Sequence, residues 1–101
     1  QDKFLNGCVA LETLLTPQEL LQTLHEIEAN AGRERKMHWG PRTLDMDILF
    51  YDNLVYDSED LYIPHIDMQH REFVLRPLAE LCPGMVHPVL HKTVKQMLDE
   101  L

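Results

Sequence analysis

The strongest constraint on the fold is the alternation of apolar and polar residues between Arg42 and Tyr51. Side chains two residues apart on a β-strand point to the same face, so this alternation predicts a strand with one buried face. Pro41 favours an extended backbone at Gly40, which places the start of the strand at Arg42. The predicted inner face contains Leu44, Met46, Ile48 and Phe50, and the predicted outer face contains Thr43, Asp45, Asp47, Leu49 and Tyr51.

The sequence before this strand predicts a strand and a helix. Residues 4–14 are mostly apolar and compatible with a strand. In the sequence TPQE, Thr16 is the expected N-cap, Pro17 suits the first helical position, and Glu19 completes a capping box. Gly32 is the expected C-terminal stop. The predicted buried face of this helix contains Leu20, Leu24, Ile27 and Ala31.

The sequence after the strand predicts a hairpin followed by helical segments. Residues 51–54 read as a turn and residues 54–57 as a short strand returning along 42–51. We expect a short helical turn capped by Asp67, a helix beginning after Pro77, and a C-terminal amphipathic helix. This order predicts an α+β sandwich in a single domain, residues 1–101, with helices on one face of an antiparallel sheet. The apolar stripe of the last helix contains Val94, Met97, Leu98 and Leu101.

Charge and composition exclude several classes of protein. The chain has 101 residues and a formal net charge of −8, which argues against a nucleic-acid partner because such proteins usually carry a basic surface. No apolar run reaches the ~18 residues of a membrane span. Cys8 and Cys82 form no CxxC motif, which indicates free thiols in a reducing compartment. We therefore expect a cytoplasmic protein that binds neither nucleic acid nor membrane.

Asp45 and Asp47 indicate a metal site. Side chains at positions i and i+2 of a strand point to one face with their β-carbons roughly 7 Å apart, and two carboxylates held there repel each other unless a cation lies between them. Mg²⁺ typically takes one or two carboxylates together with waters and substrate phosphates. The neighbouring basic residues suit a polyphosphate, although the usual phosphate-binding glycine motifs are absent. These basic residues are Arg33, Arg35, Lys36 and Arg42. The alternative is a solvated strand face without a ligand.

Other candidate residues also have simpler interpretations. Glu28 follows Leu21 and Leu24 at the edge of the apolar stripe, where it either reaches water or turns toward a polar site. Taken alone, Phe73 would more often be a core aromatic, His65 would more often be structural, and Trp39 would anchor a loop. The remaining histidines have no spacing typical of metal ligands, and we interpret them as surface or structural residues. They are His25, His38, His70, His87 and His91.

The segment WGPRTLDMDILFY, followed by IPH and REFVLRPLAEL, resembles 6-hydroxymethyl-7,8-dihydropterin pyrophosphokinase. The similarity includes FLNGCVALET, LTPQELL and IEANAGRER, and it extends from residue 2 to about residue 90. It implies a ferredoxin-like α+β fold and a transferase of folate biosynthesis. Such an enzyme moves pyrophosphate from its co-substrate ATP to the hydroxymethyl group of the pterin, gives AMP and uses two Mg²⁺.

The resemblance also implies roles for individual residues. Asp45 and Asp47 correspond to the ligands of both Mg²⁺ ions, and Arg33 and Arg42 to catalytic arginines on the transferring phosphates. Trp39 corresponds to a loop that closes over the site. The nucleotide-binding candidates are Glu28, Arg35, His65 and Arg71. The pterin-binding candidates are Phe4 and Phe73, which would stack on the ring, and Asn6, which would hydrogen-bond to it.

The chain lacks the first strand and first helix that the resemblance implies before Gln1. The alternatives are a fragment and a chain that pairs with that segment or with another copy of itself. We expect little or no pyrophosphokinase activity from the 101 residues alone. A non-catalytic metal-nucleotide binding module and an interaction domain remain the alternatives to an enzyme.

Overall fold

The computed structural model describes residues 6–35 and 44–101, which belong to two compact units. Of the described residues, the larger unit contains 6–13 and 49–101, and the smaller unit contains 14–35 and 44–48. The described elements are helix α1 (Pro17–Arg35), strands β1 (Tyr56–Asp57) and β2 (Tyr62–Ile63), a 3₁₀ turn (Met68–His70), and helices α2 (Glu72–Leu81) and α3 (Val94–Asp99). The described part is therefore α+β, as predicted.

Helix α1 of the smaller unit begins with the predicted capping box. The Glu19 N–H donates to Thr16 Oγ1 at 3.2 Å, and the Thr16 N–H donates to Glu19 Oε1 at 2.9 Å. The predicted stop at Gly32 is wrong, because the helix continues to Arg35. Glycine ends helices mainly by adopting a positive φ, and none of the described glycines has one.

The buried face of α1 is rotated from the predicted one. Leu21 and Leu24 are buried and Glu28 is half-buried, whereas Ile27 is exposed. Residues at i, i+3 and i+7 lie on one side of a helix, so the buried stripe runs through Leu21, Leu24 and Glu28. Glu28 was predicted at the edge of the stripe, either reaching water or turned toward a polar site, and only a polar partner makes its partial burial favourable.

The hairpin of the larger unit uses a different partner from the predicted one. The turn at 51–54 is confirmed, since the Leu54 N–H donates to the Tyr51 carbonyl at 3.0 Å. β1 lies within the predicted return strand, but it pairs antiparallel with β2, with Tyr56 opposite Ile63. The Ser58 N–H donates to the Leu61 carbonyl at 2.9 Å and closes a short loop that fixes this register.

The predicted strands at 4–14 and 42–51 have no ladder in their described parts. Residues 6–14 and 44–50 are assigned to neither helix nor strand. A strand is defined by hydrogen bonds to a neighbouring strand, whereas the alternation of apolar and polar residues indicates only which side chains are buried. Between residues 45 and 48 that alternation is confirmed, because Met46 is half-buried and Ile48 is buried while Asp45 and Asp47 are exposed. Outside this stretch it is wrong, since Leu44 of the predicted inner face is exposed and Leu49 of the outer face is half-buried.

The helical core of the larger unit consists of five buried apolar side chains from the 3₁₀ turn, α2 and α3. They are Met68, Leu75, Leu78, Val94 and Met97. The prediction that α2 begins after Pro77 is wrong, because the helix begins at Glu72 and contains Pro77. Proline removes one backbone hydrogen bond there. Burial of Leu75 and Leu78 on either side of Pro77 outweighs that loss.

Helix α3 confirms the predicted C-terminal helix and has a complete capping box. The Gln96 N–H donates to Thr93 Oγ1 at 3.0 Å, and the Thr93 N–H donates to Gln96 Oε1 at 2.7 Å. The predicted short helical turn is present at Met68–His70, but the side chain of Asp67 makes no capping hydrogen bond. Among the described residues, no helix has the length and apolar character needed to cross a membrane.

Two other predictions concern the larger unit. Cys8 and Cys82 are free thiols, as expected, and both are half-buried beside the helical core. Burial raises the pKa of both thiols, and the nearby Cys82 raises that of Cys8 further. His87 is structural, as predicted: its ring is buried and meets the edge of Phe50 at a centroid distance of 5.9 Å.

Candidate functional site

The predicted site residues of the smaller unit are organised by a contact between Glu28 and Met46. Glu28 Oε2 accepts a hydrogen bond from the Met46 N–H at 2.5 Å, across 18 positions of sequence. A carboxylate that accepts from a backbone N–H forms a short, charge-assisted hydrogen bond. The bond connects α1 to the peptide group between Asp45 and Met46, and therefore to the backbone of the predicted metal site.

Asp45 and Asp47, here called the aspartate pair, are exposed on either side of Met46. Met46 and Ile48 alternate with them and are more sheltered, so the two carboxylates share the open side of the segment. Both side chains are exposed to solvent. Hard divalent cations such as Mg²⁺ prefer oxygen ligands of this type.

The aspartate pair fits Mg²⁺ better than a metal enclosed by protein ligands. Within residues 6–35 and 44–101, no three His, Cys, Asp or Glu side chains are grouped closely enough to hold a metal ion. Two carboxylates would therefore share the coordination shell with waters and substrate oxygens. That division is usual for Mg²⁺ sites that also bind phosphates.

Basic candidates of the smaller unit lie near the end of α1. Arg33 and Arg35 belong to its last turn, where the described backbone is helical. Arg42 and Trp39 lie outside the described residues, and so does Phe4 of the larger unit.

The larger unit brings together two of the predicted ligand-binding residues. The guanidinium carbon of Arg71 lies 5.8 Å from the centroid of the Phe73 ring, within the range of a cation–π interaction. Arg71 occupies the N-cap of α2, and its guanidinium lies 4.0 Å from the Asp67 carboxylate. The Phe73 ring is 53% exposed, so the interpretation of Phe73 as a core aromatic is wrong. An exposed ring beside a guanidinium is suited to stacking on a planar ligand.

The remaining described candidates of the larger unit are His65 and Asn6. His65 is half-buried after Pro64, and its N–H donates to the Leu49 carbonyl at 3.0 Å. Asn6 is exposed in the segment that precedes Cys8. An exposed amide can both donate and accept hydrogen bonds, as recognition of a heterocycle edge requires.

The sequence could not predict that Glu28 contacts the backbone of Met46. Its position after Leu21 and Leu24 on one helical stripe was the only available signal, and that signal allowed a water-facing side chain equally well. A partner 18 residues away becomes visible only from the fold.

Comparison with known proteins identifies the family. Residues 1–83 match the family described as 7,8-dihydro-6-hydroxymethylpterin-pyrophosphokinase (HPPK). Over 101 residues the chain is 48% identical to a 2-amino-4-hydroxy-6-hydroxymethyldihydropteridine pyrophosphokinase of Synechocystis sp., a match that covers all of this chain and 52% of that protein.

Two relatives are longer proteins. The bifunctional protein FolKE of Lactococcus lactis is 53% identical over 81 residues, which cover 80% of this chain and 23% of the relative. The folic acid synthesis protein fol1 of Schizosaccharomyces pombe is 46% identical over 101 residues, which cover all of this chain and 14% of the relative. The chain thus spans about half the length of the Synechocystis relative and less of these two. The match over most of its length shows that the chain belongs to the 7,8-dihydro-6-hydroxymethylpterin-pyrophosphokinase family.

Proposed function

We propose that the chain contributes part of the active site of a folate-biosynthetic pyrophosphokinase. The reaction transfers pyrophosphate from ATP to the hydroxymethyl group of 6-hydroxymethyl-7,8-dihydropterin and gives AMP. Membership of the family supports this assignment, and so do the names of relatives that are 44–53% identical. We also propose that the complete fold is a ferredoxin-like sandwich, of which β1, β2 and the three helices form a part.

The observation that carries the proposal is the exposed aspartate pair on a segment bound to α1 through Glu28. Asp45 and Asp47 hold two Mg²⁺ ions in this proposal. When bound, Mg²⁺ neutralises charge on the triphosphate and favours displacement at the β-phosphorus. The protein contributes mainly by positioning, because phosphoryl transfer requires little covalent assistance from side chains.

The other candidates divide between the two substrates. Arg33 and Arg42 bind the transferring phosphates through guanidinium groups that match pairs of phosphate oxygens. The nucleotide is bound further by Arg35, His65 and Arg71. The pterin ring stacks on Phe4 and Phe73 and hydrogen-bonds to Asn6, and Trp39 belongs to a loop that closes over both substrates. The exposure of Phe73 and Asn6 supports their part in this assignment.

Activity is best tested in a chimera in which these 101 residues replace the matching segment of the Synechocystis relative. We expect the chimera to form AMP from ATP and the pterin. Asp45→Ala and Asp47→Ala should each lower kcat by about 10²–10³-fold, because each removes a preorganised charge that stabilises the transition state. Both aspartates are exposed, so the urea midpoint of the chimera should hardly change.

Asp57→Ala is the matched control, since it also removes one exposed carboxylate but lies on β1 in the other unit. It should leave kcat within about twofold, as expected for a surface substitution. Full activity of Asp47→Ala would contradict the proposal. Mg²⁺-dependent binding of a non-hydrolysable ATP analogue without AMP formation would instead indicate a non-catalytic nucleotide-binding module.

A further inference from the structure

The contact between Glu28 and Met46 supports a role for Glu28 that differs from direct nucleotide binding. Glu28 lies on the same stripe of α1 as the buried Leu21 and Leu24. The exposed Glu26 of the same helix accepts from the nearby Gln22 Nε2, at 3.4 Å. A half-buried carboxylate requires hydrogen-bond donors to offset the cost of removing it from water. The Met46 N–H supplies such a donor for Glu28.

This bond engages the backbone of Met46 and not the side chains of the aspartate pair. Glu28 holds the segment through the backbone at Met46, and the side chains of Asp45 and Asp47 on either side of it are exposed. One hydrogen bond fixes the peptide between the two metal-ligand candidates without using either side chain.

We infer that Glu28 is a positioning residue for the aspartate pair, and that it orients both carboxylates for a divalent cation by binding the Met46 N–H. Residues that orient metal ligands are typically worth 10–100-fold in metal affinity or activity. The inference rests on the proposed function, because it requires that Asp45 and Asp47 hold Mg²⁺. It differs from that proposal in assigning Glu28 to the backbone of the site.

Two conservative variants separate positioning from charge. Glu28→Gln keeps an oxygen acceptor at the same reach but removes the negative charge. Glu28→Asp keeps the charge but shortens the side chain by one methylene, which moves the carboxylate away from the Met46 N–H. Positioning predicts that Gln preserves function and that Asp behaves like Ala. A direct electrostatic role of Glu28 at the metal predicts the reverse order.

The first measurement is Mn²⁺ binding to the chimera without substrates, followed by electron paramagnetic resonance. Glu28→Ala and Glu28→Asp should weaken Mn²⁺ binding by about 10–100-fold, and Glu28→Gln should stay within a few-fold of the unchanged chimera. Glu26→Ala is the matched control, since it removes an exposed carboxylate from the same helix, and it should not alter Mn²⁺ affinity.

The second measurement is hydrogen exchange of the Met46 amide. The exchange should be faster in Glu28→Ala, which removes the acceptor, and in Glu28→Asp, which moves it away from the Met46 N–H. It should be unchanged in Glu26→Ala, which leaves Glu28 intact. In assays of AMP formation, raising Mg²⁺ should recover most of the activity of Glu28→Ala, whereas loss of a nucleotide contact would appear as a higher KM for ATP at saturating Mg²⁺.

The outcomes distinguish this inference from the proposed function. If Asp47→Ala leaves Mn²⁺ binding unchanged, both are overturned. If Asp47→Ala weakens Mn²⁺ binding but Glu28→Asp does not, only the positioning role is overturned. The same holds if Glu28→Gln loses as much affinity as Glu28→Asp. Should Glu28→Ala fail to fold, the comparison between Gln and Asp still decides.

Discussion

The two compact units of the chain differ in the interactions that hold each of them together. The larger unit contains the helical core, in which Met68, Leu75 and Val94 have no exposed surface. Among the described residues of the smaller unit, the buried apolar side chains are Leu21, Leu24 and Ile48, each with 7–9% of its surface exposed. The smaller unit also has the bond between Glu28 and Met46, which joins segments 18 residues apart.

This difference suggests a division between stability and chemistry. Apolar burial contributes much of the free energy of folding but does not depend on orientation. A hydrogen bond to one backbone N–H fixes the position of that group and contributes only modestly to the free energy of folding. The aspartate pair lies in the unit with the smaller apolar core. Substitutions in the helical core should therefore change stability most, and substitutions around the aspartate pair should change function most.

Leucine truncation gives the largest expected effect on stability. Leu75→Ala should lower the free energy of unfolding by about 3–5 kcal/mol, because the site is fully buried and an unfilled cavity adds to the lost transfer energy. Leu24→Ala should cost about 2–3 kcal/mol, since a less enclosed site relaxes around the deletion. Urea unfolding of the chimera, followed by circular dichroism, measures both values.

Leu81→Ala is the control for the leucine comparison, because Leu81 lies on α2 with 45% of its surface exposed. It should cost less than about 1 kcal/mol. Equal losses from Leu24→Ala and Leu75→Ala would show that the two units depend on apolar burial to the same degree. The proposed division between stability and chemistry would then be wrong.

The sequence predicted local features of the fold better than long-range ones. Both helix starts with Thr at the N-cap depend on residues within three positions, and the box at Thr16 was predicted in full. The predicted partner of β1 was wrong, because the alternation of apolar and polar residues does not specify which strand pairs with it. The start of α2 was wrong because Pro77 is locally unfavourable in a helix, whereas burial of Leu75 and Leu78 depends on the tertiary fold.

The candidate site shows the same limit. The aspartate pair and its exposed side could be predicted, since both follow from alternation between residues 45 and 48. The exposure of Phe73 could not be predicted from its own segment, because an aromatic within an apolar segment more often belongs to a core. Only the family resemblance, which implies that Phe73 stacks on the pterin, indicated it. The hydrogen-bond partner of Glu28 could not be predicted either, because a contact across 18 residues has no local signature.

The two capping boxes give a smaller test of the same division. Thr93→Ala should lower the free energy of unfolding by about 0.5–2 kcal/mol, because it removes the acceptor for the Gln96 N–H at the start of a helix in the core. Thr16→Ala should appear mainly as faster hydrogen exchange of the Glu19 amide, because the start of α1 is exposed and opens locally.

Threonine-to-serine changes at both caps are the controls, since serine retains the hydroxyl acceptor. Thr16→Ser and Thr93→Ser should keep most of the stability and amide protection of the unchanged protein. If Thr16→Ala lowered global stability more than Thr93→Ala, the helix of the smaller unit would be the more important of the two for unfolding.

The smallest expected effect is the pH dependence associated with His87. His87 Nδ1 accepts hydrogen bonds from the N–H groups of Val89 and Leu90, at 3.2 and 3.0 Å, and therefore has to be unprotonated. Burial lowers the pKa of His87 below its ordinary value of 6.5, and the nearby positive charge of His91 lowers it further. The unfolded chain therefore binds a proton at higher pH than the folded chain does.

The sign of the pH effect follows from this order of proton binding. The contribution of His87 to the free energy of unfolding is fully present above about pH 6.5. It is lost as the pH falls from there to the lower pKa of the folded state. Because one proton is bound, the free energy of unfolding changes by at most about 1.4 kcal/mol per pH unit. Urea midpoints between pH 5 and 7.5 measure this pH dependence.

His87→Gln should reduce the slope of stability against pH, whereas His25→Gln, which replaces an exposed histidine on α1, should retain it. A slope that disappears in His25→Gln but persists in His87→Gln would place the pH sensitivity in the smaller unit. The larger unit would then contribute stability through apolar burial alone, and the protonation of His87 would not affect the free energy of unfolding.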